Sequence, residues 1–437
     1  MRARATTLTV LCCLHALTAQ DLTPHAQPQT RDVVLENAVV HTVAFGTRAG
    51  AAIHFSKGKI VAVAADRKEL ATPANTEFVD LKGKHVYPGL VGAYTQIGLV
   101  EIGQIRATVD QTELGPMAPE ALASVAVNPD SAVIPVTRSA GVLAVGVFPL
   151  GDVVTGRASV IQLEGWTAEQ MTVRADAGLV VTWPGMRALP RRFADFGPPR
   201  AAGDDLEKQR KKKLDDLEEL IGATKAYLAA RKADPKVPVD LRFEGLTAAV
   251  TAKVPVFVHA VELEQMQSAI AWGKRHGLSI VLVGARDADL CLDLLAREKV
   301  AVIVLGTHTL PRRAESSYDE PFKLPALLED AGVPWCLATG EEHAHERNLP
   351  QHAATAVAFG LDKEAALRAI TLSAARILGV GERLGSIETG KDATLFVCDG
   401  DPLEVTTRVE RAWIAGRALD LSNKQTKLAE KYRARYR

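Results

Sequence analysis

The sequence predicts an α/β barrel flanked at both chain ends by short strands. Short β-branched runs alternate with helical stretches through the middle of the chain, and polar or glycine residues bound each run. The clearest runs are Val254 to His259, Ser279 to Val283, Val300 to Leu305 and Val333 to Ala338. Such alternation is typical of buried parallel strands connected by helices.

The two chain ends contain short strands and tight turns. Lys57-Gly58-Lys59 is a turn between two apolar runs, because glycine adopts positive φ at little cost. At the far end, Thr394 to Val397 and Val409 to Ile414 are further strands. We therefore expect β-strand segments at 31–84 and 383–420, a barrel over 85–382 and a charged tail over 421–437.

Composition excludes some classes of partner. The chain has 437 residues, of which 47% are hydrophobic, which is enough for a large core. Its formal net charge is zero, so no basic surplus indicates nucleic acid or an anionic membrane. Only 5% of the residues are aromatic, which also disfavours stacking on nucleic-acid bases.

The first 19 residues are predicted to be a signal peptide. Two arginines precede the mostly apolar stretch from Thr6 to Leu17, which is too short to span a bilayer, and small residues follow near Ala19. The alternative is a frayed N-terminal helix. Lipidation of Cys12 or Cys13 is not expected, because no small residue precedes either one. We expect an exported protein, periplasmic or secreted.

Three blocks of the sequence resemble the amidohydrolase superfamily, and imidazolonepropionase-related members in particular. They are Val86 to Ala93 with its Pro-Gly-Leu lead, Val256 to Ala260, and Asn348 to Ala393 with its Gly-Ser-Ile-Glu-x-Gly-Lys motif. The resemblance implies a TIM-like (β/α)8 barrel and a β-sandwich formed from both chain ends. It also implies hydrolysis of non-peptide carbon–nitrogen bonds in a small-molecule ligand, with a divalent metal such as zinc.

The positions that hold the metal in this superfamily are largely substituted here. The first barrel strand has Tyr94 and Gln96 where the family has His-x-His, whereas His259 matches the ligand on the fifth strand. Gly284 and Gly340 stand where the family often has a histidine and an aspartate. The resemblance therefore implies the fold, whereas most of the metal ligands that it implies are absent from this sequence. No nucleophile elbow, Walker loop or dinucleotide fingerprint is present, so the residues themselves indicate no cofactor.

A rearranged site is one interpretation of the remaining histidines. His343 and His345 form a His-x-His after the last strand, and His308 follows the preceding one. Glu341, one residue beyond Gly340, could act as the proton acceptor. The other interpretation is that these are polar loop residues and that His259 is a buried histidine.

Other polar residues are candidates for ligand binding or catalysis. We expect Tyr94, Gln96, Arg138 and Arg286 to contact a small-molecule ligand; a structural ion-pair set is the alternative for Arg138.

Three hypotheses about the function follow. The first is a hydrolase of carbon–nitrogen bonds with a degenerate metal site, the second is a non-catalytic binding or scaffold protein, and the third is an enzyme of another class that uses Glu101 and Glu113.

Overall fold

The structure, a computed structural model, describes residues 25–186 and 203–436. The predicted signal peptide lies outside these residues. The described residues form sixteen strands and eleven α-helices, besides short 3-10 helices. The strands are β1 (Val33–His41), β2 (Thr47–Ser56), β3 (Lys59–Ala64), β4 (Glu77–Asp80), β5 (His85–Pro88), β6 (Leu90–Thr95), β7 (Val142–Val147), β8 (Val154–Gln162), β9 (Thr172–Thr182), β10 (Val256–Ala260), β11 (Ile280–Gly284), β12 (Ala301–Leu305), β13 (Trp335–Ala338), β14 (Leu395–Cys398), β15 (Val409–Ile414) and β16 (Arg417–Ala418). The helices are α1 (Val133–Arg138), α2 (Ala168–Met171), α3 (Gly203–Ala233), α4 (Leu241–Val250), α5 (Leu263–His276), α6 (Leu292–Glu298), α7 (Glu320–Asp330), α8 (Leu349–Ala358), α9 (Lys363–Ala369), α10 (Leu372–Ile377) and α11 (Lys424–Arg435).

Strands from both chain ends form one sheet. Its order is β16-β15-β14-β5-β1-β2-β3, and β4 pairs with β1 outside this path. The antiparallel pairing of β5 with β14 joins the two ends of the chain. This confirms the prediction that the two ends build a separate small β unit.

The chain passes from this sheet into the barrel at Gly89. A Cβ atom on this residue would lie 2.9 Å from the Leu143 Cβ and 3.0 Å from the Thr394 Cγ2. The Gly89 amide donates to the Thr394 carbonyl at 3.0 Å, and the Leu90 amide donates to the Gly141 carbonyl at 2.9 Å. Glycine is required here because the backbone of the junction lies against both units.

The second sheet is the predicted barrel. Its eight strands run in the order β13-β12-β11-β10-β9-β8-β7-β6, and β13 packs beside β6 to bring the two edges together. One strand departs from the expected parallel pattern, because β8 is antiparallel to both β7 and β9. Only residues 148–153 connect β7 to β8, and this is too short for the helical crossover that parallel neighbours need.

Local sequence signals define the helices near the mouth of the barrel. Helix α5 starts after Glu262, whose side chain forms a capping box with Gln265, and it ends at Gly277 in the left-handed region. Helix α8 has Pro350 in its first turn, where a missing N–H costs nothing. Because His352 and Thr355 of α8 are three residues apart, their side chains lie on one face of that helix.

A buried ion pair lies at the amino-terminal end of the barrel strands. Arg138 ends α1 just before β7, and Glu164 follows β8. The Arg138 Nη1 lies 2.5 Å from the Glu164 Oε2, and both side chains are fully buried. The Ala26 amide also donates to Glu164, at 3.0 Å. The pair therefore attaches the start of the described chain to the barrel floor.

We expect Glu164→Leu to lower the free energy of unfolding by about 3–5 kcal/mol, because it removes the buried carboxylate that pairs with Arg138. The double variant Arg138→Met/Glu164→Leu should lose less, since no charge stays behind. Urea unfolding measures both values. Glu298→Gln, in the exposed pair with Lys274, is the control and should change stability far less than Glu164→Leu does. A Glu164→Leu protein that is as stable as this control would contradict the stabilising role of the buried ion pair.

Candidate active site

The carboxyl ends of the parallel strands meet at one end of the barrel, where sites in such folds are built. The first cluster at this mouth is aromatic. The Tyr94 ring packs against Phe148 with centroids 4.8 Å apart, and against His259 edge-on at 5.1 Å. Burial raises the pKa of Tyr94 to about 12, so its phenol is neutral at physiological pH. The Gln96 amide donates to the Phe148 carbonyl at 3.5 Å.

His259 is the one histidine in this aromatic cluster. Its Nε2 atom is buried and has no hydrogen-bond partner among the described residues. Burial lowers the pKa of His259 to about 4, so the ring is neutral. A neutral ring with an unpaired nitrogen retains the capacity to ligate or to accept a hydrogen bond.

The two glycines at the mouth also have a backbone conformation that other residues rarely adopt. Gly284 has φ +94° and Gly340 has φ +64°. A Cβ on Gly340 would lie 2.7 Å from the carbonyl carbon and oxygen of Leu305. A side chain at this position is therefore excluded by contact and disfavoured by backbone strain.

A second cluster surrounds Glu341, just beyond β13. The His352 Nε2 lies 3.0 Å from the Glu341 Oε1, and the Asn348 Nδ2 donates to the Glu341 Oε2 at 3.0 Å. The His345 Nδ1 lies 3.5 Å from Oε2, and the His308 Nδ1 lies 4.0 Å from Oε1. The structure thus brings together three predicted residues (His308, Glu341 and His345).

His352 was not predicted from the sequence, although it is the closest imidazole to Glu341. It is buried, and burial lowers its pKa to about 4. The Thr307 amide donates to its Nδ1 at 3.0 Å, so that nitrogen carries no proton and the proton is on Nε2, which donates to Glu341. The sequence offered one signal for His352, because it lies one helical turn after Asn348, which also donates to Glu341.

The other predicted residues lie elsewhere. Glu101 accepts from the Ala132 amide at 3.3 Å, Glu113 is exposed, and His343 begins a short 3-10 helix without a side-chain hydrogen bond among the described residues. The structure does not bring Arg138 to the mouth, since its ion pair is at the opposite end of the barrel. Arg286 donates to the Leu310 carbonyl and lines a cavity of about 350 Å³ between β11, β12 and α7.

Comparisons with known proteins agree with this architecture. The sequence model of the amidohydrolase family matches residues 189–424, more than half of the chain. The chain belongs to the amidohydrolase family. A crystal structure of an amidohydrolase from Thermotoga maritima is 26% identical, with a TM-score of 0.76, and the match covers 89% of this chain and 99% of that one.

Curated relatives of this amidohydrolase-family chain match over shorter stretches. The amidohydrolase tasK of Hapsidospora irregularis is 28% identical over 189 residues, which are 42% of this chain and 19% of the relative. The imidazolonepropionase of Brucella suis (strain ATCC 23445 / NCTC 10510) is 28% identical over 167 residues, which are 37% of this chain and 40% of the relative. The chain thus spans about a fifth and two fifths of the lengths of these relatives. Among the helices described, none is long and apolar enough to cross a bilayer.

The residues at the family's metal positions do not fit its usual metal centre. They supply one imidazole from His259, the neutral phenol of Tyr94 and an amide from Gln96, and the two glycines supply no side chain. Divalent metals of the zinc type are held by several imidazoles, thiolates or carboxylates. We therefore derive no chemistry from a metal at these positions of the amidohydrolase fold.

A buried carboxyl group lies near the same end of this amidohydrolase barrel. Glu346 is fully buried and accepts a hydrogen bond from the Thr339 hydroxyl at 2.8 Å. Burial raises the pKa of Glu346 to about 7, and the Thr339 hydrogen bond opposes this shift. A Cβ on Gly92 would lie 2.3 Å from the Glu346 Oε1, so this glycine of β6 makes room for the carboxyl group.

The raised pKa of Glu346 makes stability depend on pH. The folded protein retains a proton that the unfolded chain loses near pH 4.5, so the stabilisation is complete below that pH and is lost as the pH rises through about 7. The change amounts to roughly 3 kcal/mol. Glu346→Gln should remove it, because the amide does not ionise. Unfolding by urea at several pH values across this interval measures the slope, with the exposed Glu342→Gln as the control; equal slopes in all three proteins would contradict the assignment.

Proposed function

We propose that the protein hydrolyses carbon–nitrogen bonds of small, cyclic amide-like molecules at the mouth of the barrel, with Glu341 as the general base. The observation that carries the proposal is the position of this carboxylate, which follows the last barrel strand and is surrounded by the imidazoles of His308, His345 and His352. The relatives named imidazolonepropionase and amidohydrolase support the reaction class.

The contacts of Glu341 suit the transfer of a proton from water. Its side chain is 25% exposed, so solvent and a ligand reach it. His352 and Asn348 each donate to one of its oxygens, which holds the carboxylate in a single orientation. A base held in this way takes a proton from an attacking water and returns it to the leaving nitrogen.

The cavity beside the mouth offers a place for the rest of a ligand. Arg286 lines it together with residues of β12 and α7. Arg312, another cation of its wall, lies 3.0 Å from the Asp289 carboxylate and also pairs with Asp287 and Glu320, whereas the Arg286 guanidinium donates to a backbone carbonyl. Arg286 is therefore the group we assign to a polar or anionic part of the ligand.

A second function, ligand binding without hydrolysis, is favoured by the aromatic cluster. Tyr94, Phe148 and His259 pack together where the family's metal would lie, and Gly340 excludes a side chain at the position of the family's acid. On this alternative the mouth binds a small molecule, and Glu341 is a structural hydrogen-bond acceptor.

Turnover of a panel of cyclic amides and imides separates the two functions. Glu341→Gln should lower kcat by roughly 10²–10⁴-fold with little change in KM, because the amide cannot accept the proton. Glu342→Gln is the matched control, since this neighbouring residue is exposed, and it should retain wild-type kcat. Ligand-induced thermal stabilisation without turnover would support the binding function, and equal activity of the wild-type and Glu341→Gln proteins would overturn the role of Glu341.

A further inference from the structure

The hydroxyl of Thr339 joins the backbone at Glu341 to a buried carboxyl group. The Glu341 amide donates to this hydroxyl at 3.4 Å, and the hydroxyl donates its one hydrogen to the Glu346 Oε2 at 2.8 Å. Thr339 directly follows β13 and is 1% exposed, and Glu346 is fully buried. Because water does not compete for this hydroxyl, the two hydrogen bonds connect the turn before Glu341 to Glu346.

Glu346 also belongs to the segment that supplies two contacts of the Glu341 carboxylate. His343–Asn348 is a short 3-10 helix beyond β13. Within it, the His345 Nδ1 lies 3.5 Å from the Glu341 Oε2, and the Asn348 Nδ2 donates to the same oxygen at 3.0 Å. His345 is exposed, whereas Glu346 is buried against the barrel. Glu346 therefore attaches this segment to the barrel wall.

The barrel wall accommodates the carboxyl group in its neutral form. A Cβ on Gly92 of β6 would lie 2.3 Å from the Glu346 Oε1, so the glycine provides the space. Burial raises the pKa of Glu346 to about 7 and the Glu341 carboxylate adds to this shift, whereas the Thr339 and Thr95 hydroxyls oppose it. A neutral acid needs no cation beside it, and it still accepts the hydrogen bond from Thr339.

We propose that Thr339 and Glu346 are positioning residues that hold the Glu341 carboxylate in its orientation at the mouth of the barrel. Thr339 acts through the backbone amide of Glu341, and Glu346 acts through the segment that carries His345 and Asn348. The effect on turnover rests on the proposed function, in which Glu341 is the general base. The orientation of Glu341 is measurable without any substrate.

The hydrogen bond from His352 to Glu341 reports this orientation. The His352 Nε2 carries the proton and lies 3.0 Å from the Glu341 Oε1. Protein labelled with nitrogen-15 in its histidine rings gives an NMR signal for this N–H group, which is assigned by its absence in His352→Gln. Thr339→Val and Glu346→Leu should shift the signal. Thr339→Ser keeps the hydroxyl and should leave the signal at its wild-type position.

Turnover of the cyclic amides provides the second measurement. Thr339→Val and Glu346→Leu should each lower kcat by roughly 10- to 100-fold with little change in KM, because they displace the base without removing it. Thr339→Ser should restore the wild-type kcat, and Glu346→Gln, which keeps an acceptor oxygen, should retain most of it. Because both residues share one hydrogen bond, the double variant Thr339→Val/Glu346→Leu should lose less than the product of the two single losses.

Thr224→Val is the matched control for the loss of a buried hydroxyl. Thr224 is fully buried in α3, where its hydroxyl donates to the Leu220 carbonyl at 2.8 Å. This variant should retain the wild-type kcat and His352 signal. Near-ultraviolet circular dichroism verifies that each variant is folded, and Glu346→Leu serves alone if Thr339→Val is not. An unchanged His352 signal in the folded variants, or an equal loss of kcat in Thr224→Val, would overturn the proposal.

The outcome is distinguishable from that of the proposed hydrolysis. A His352 signal that shifts in Thr339→Val and Glu346→Leu, in protein that hydrolyses no amide, would sustain the positioning role and remove the hydrolase. Turnover that depends on Glu341, with the wild-type signal and kcat in both variants, would do the reverse.

Discussion

The junction at Gly89 is the constraint on which the rest of the structure depends. Within two residues the backbone hydrogen-bonds to the C-terminal sheet segment at Thr394 and to the start of the second barrel strand at Gly141. A side chain would collide with both neighbours, so only glycine allows the end sheet and the barrel to lie in direct contact. The position of β6, and hence of every residue at its carboxyl end, follows from this contact.

Changes at the mouth are coupled to one another. Tyr94 lies beside His259, and its ring also packs against Phe148. Gly340 turns the chain in the left-handed region directly after β13, and the next residue, Glu341, faces His308 and His352. The polar cluster of the mouth thus follows the last two barrel strands, whereas the positions of the family's metal ligands are on the first and fifth strands.

The protonation of the histidines, more than their number, decides what this cluster can do. A backbone amide donates to the Nδ1 of His352, so its proton is on Nε2 and this histidine is a donor towards Glu341. The Nε2 of His308 instead lies 2.8 Å from the Thr355 hydroxyl, a group that can either donate or accept. Two residues of the same type, adjacent to the same carboxylate, thus have different partners on their other nitrogens.

The sequence by itself determined the alternation of barrel strands and helices and the short strands at both chain ends, because periodicity and turn residues are properties of short segments. Its resemblance to the family implied that the two ends join and that the family's metal positions are substituted. Only the tertiary structure decided the direction of β8, the location of Arg138 in an ion pair at the barrel floor, and the contact of His352 with Glu341. These depend on contacts between residues distant in the chain. A short loop between β7 and β8 reverses a strand that local pattern alone would leave parallel. Helix α8, packed on β13, brings in a histidine that no motif indicated.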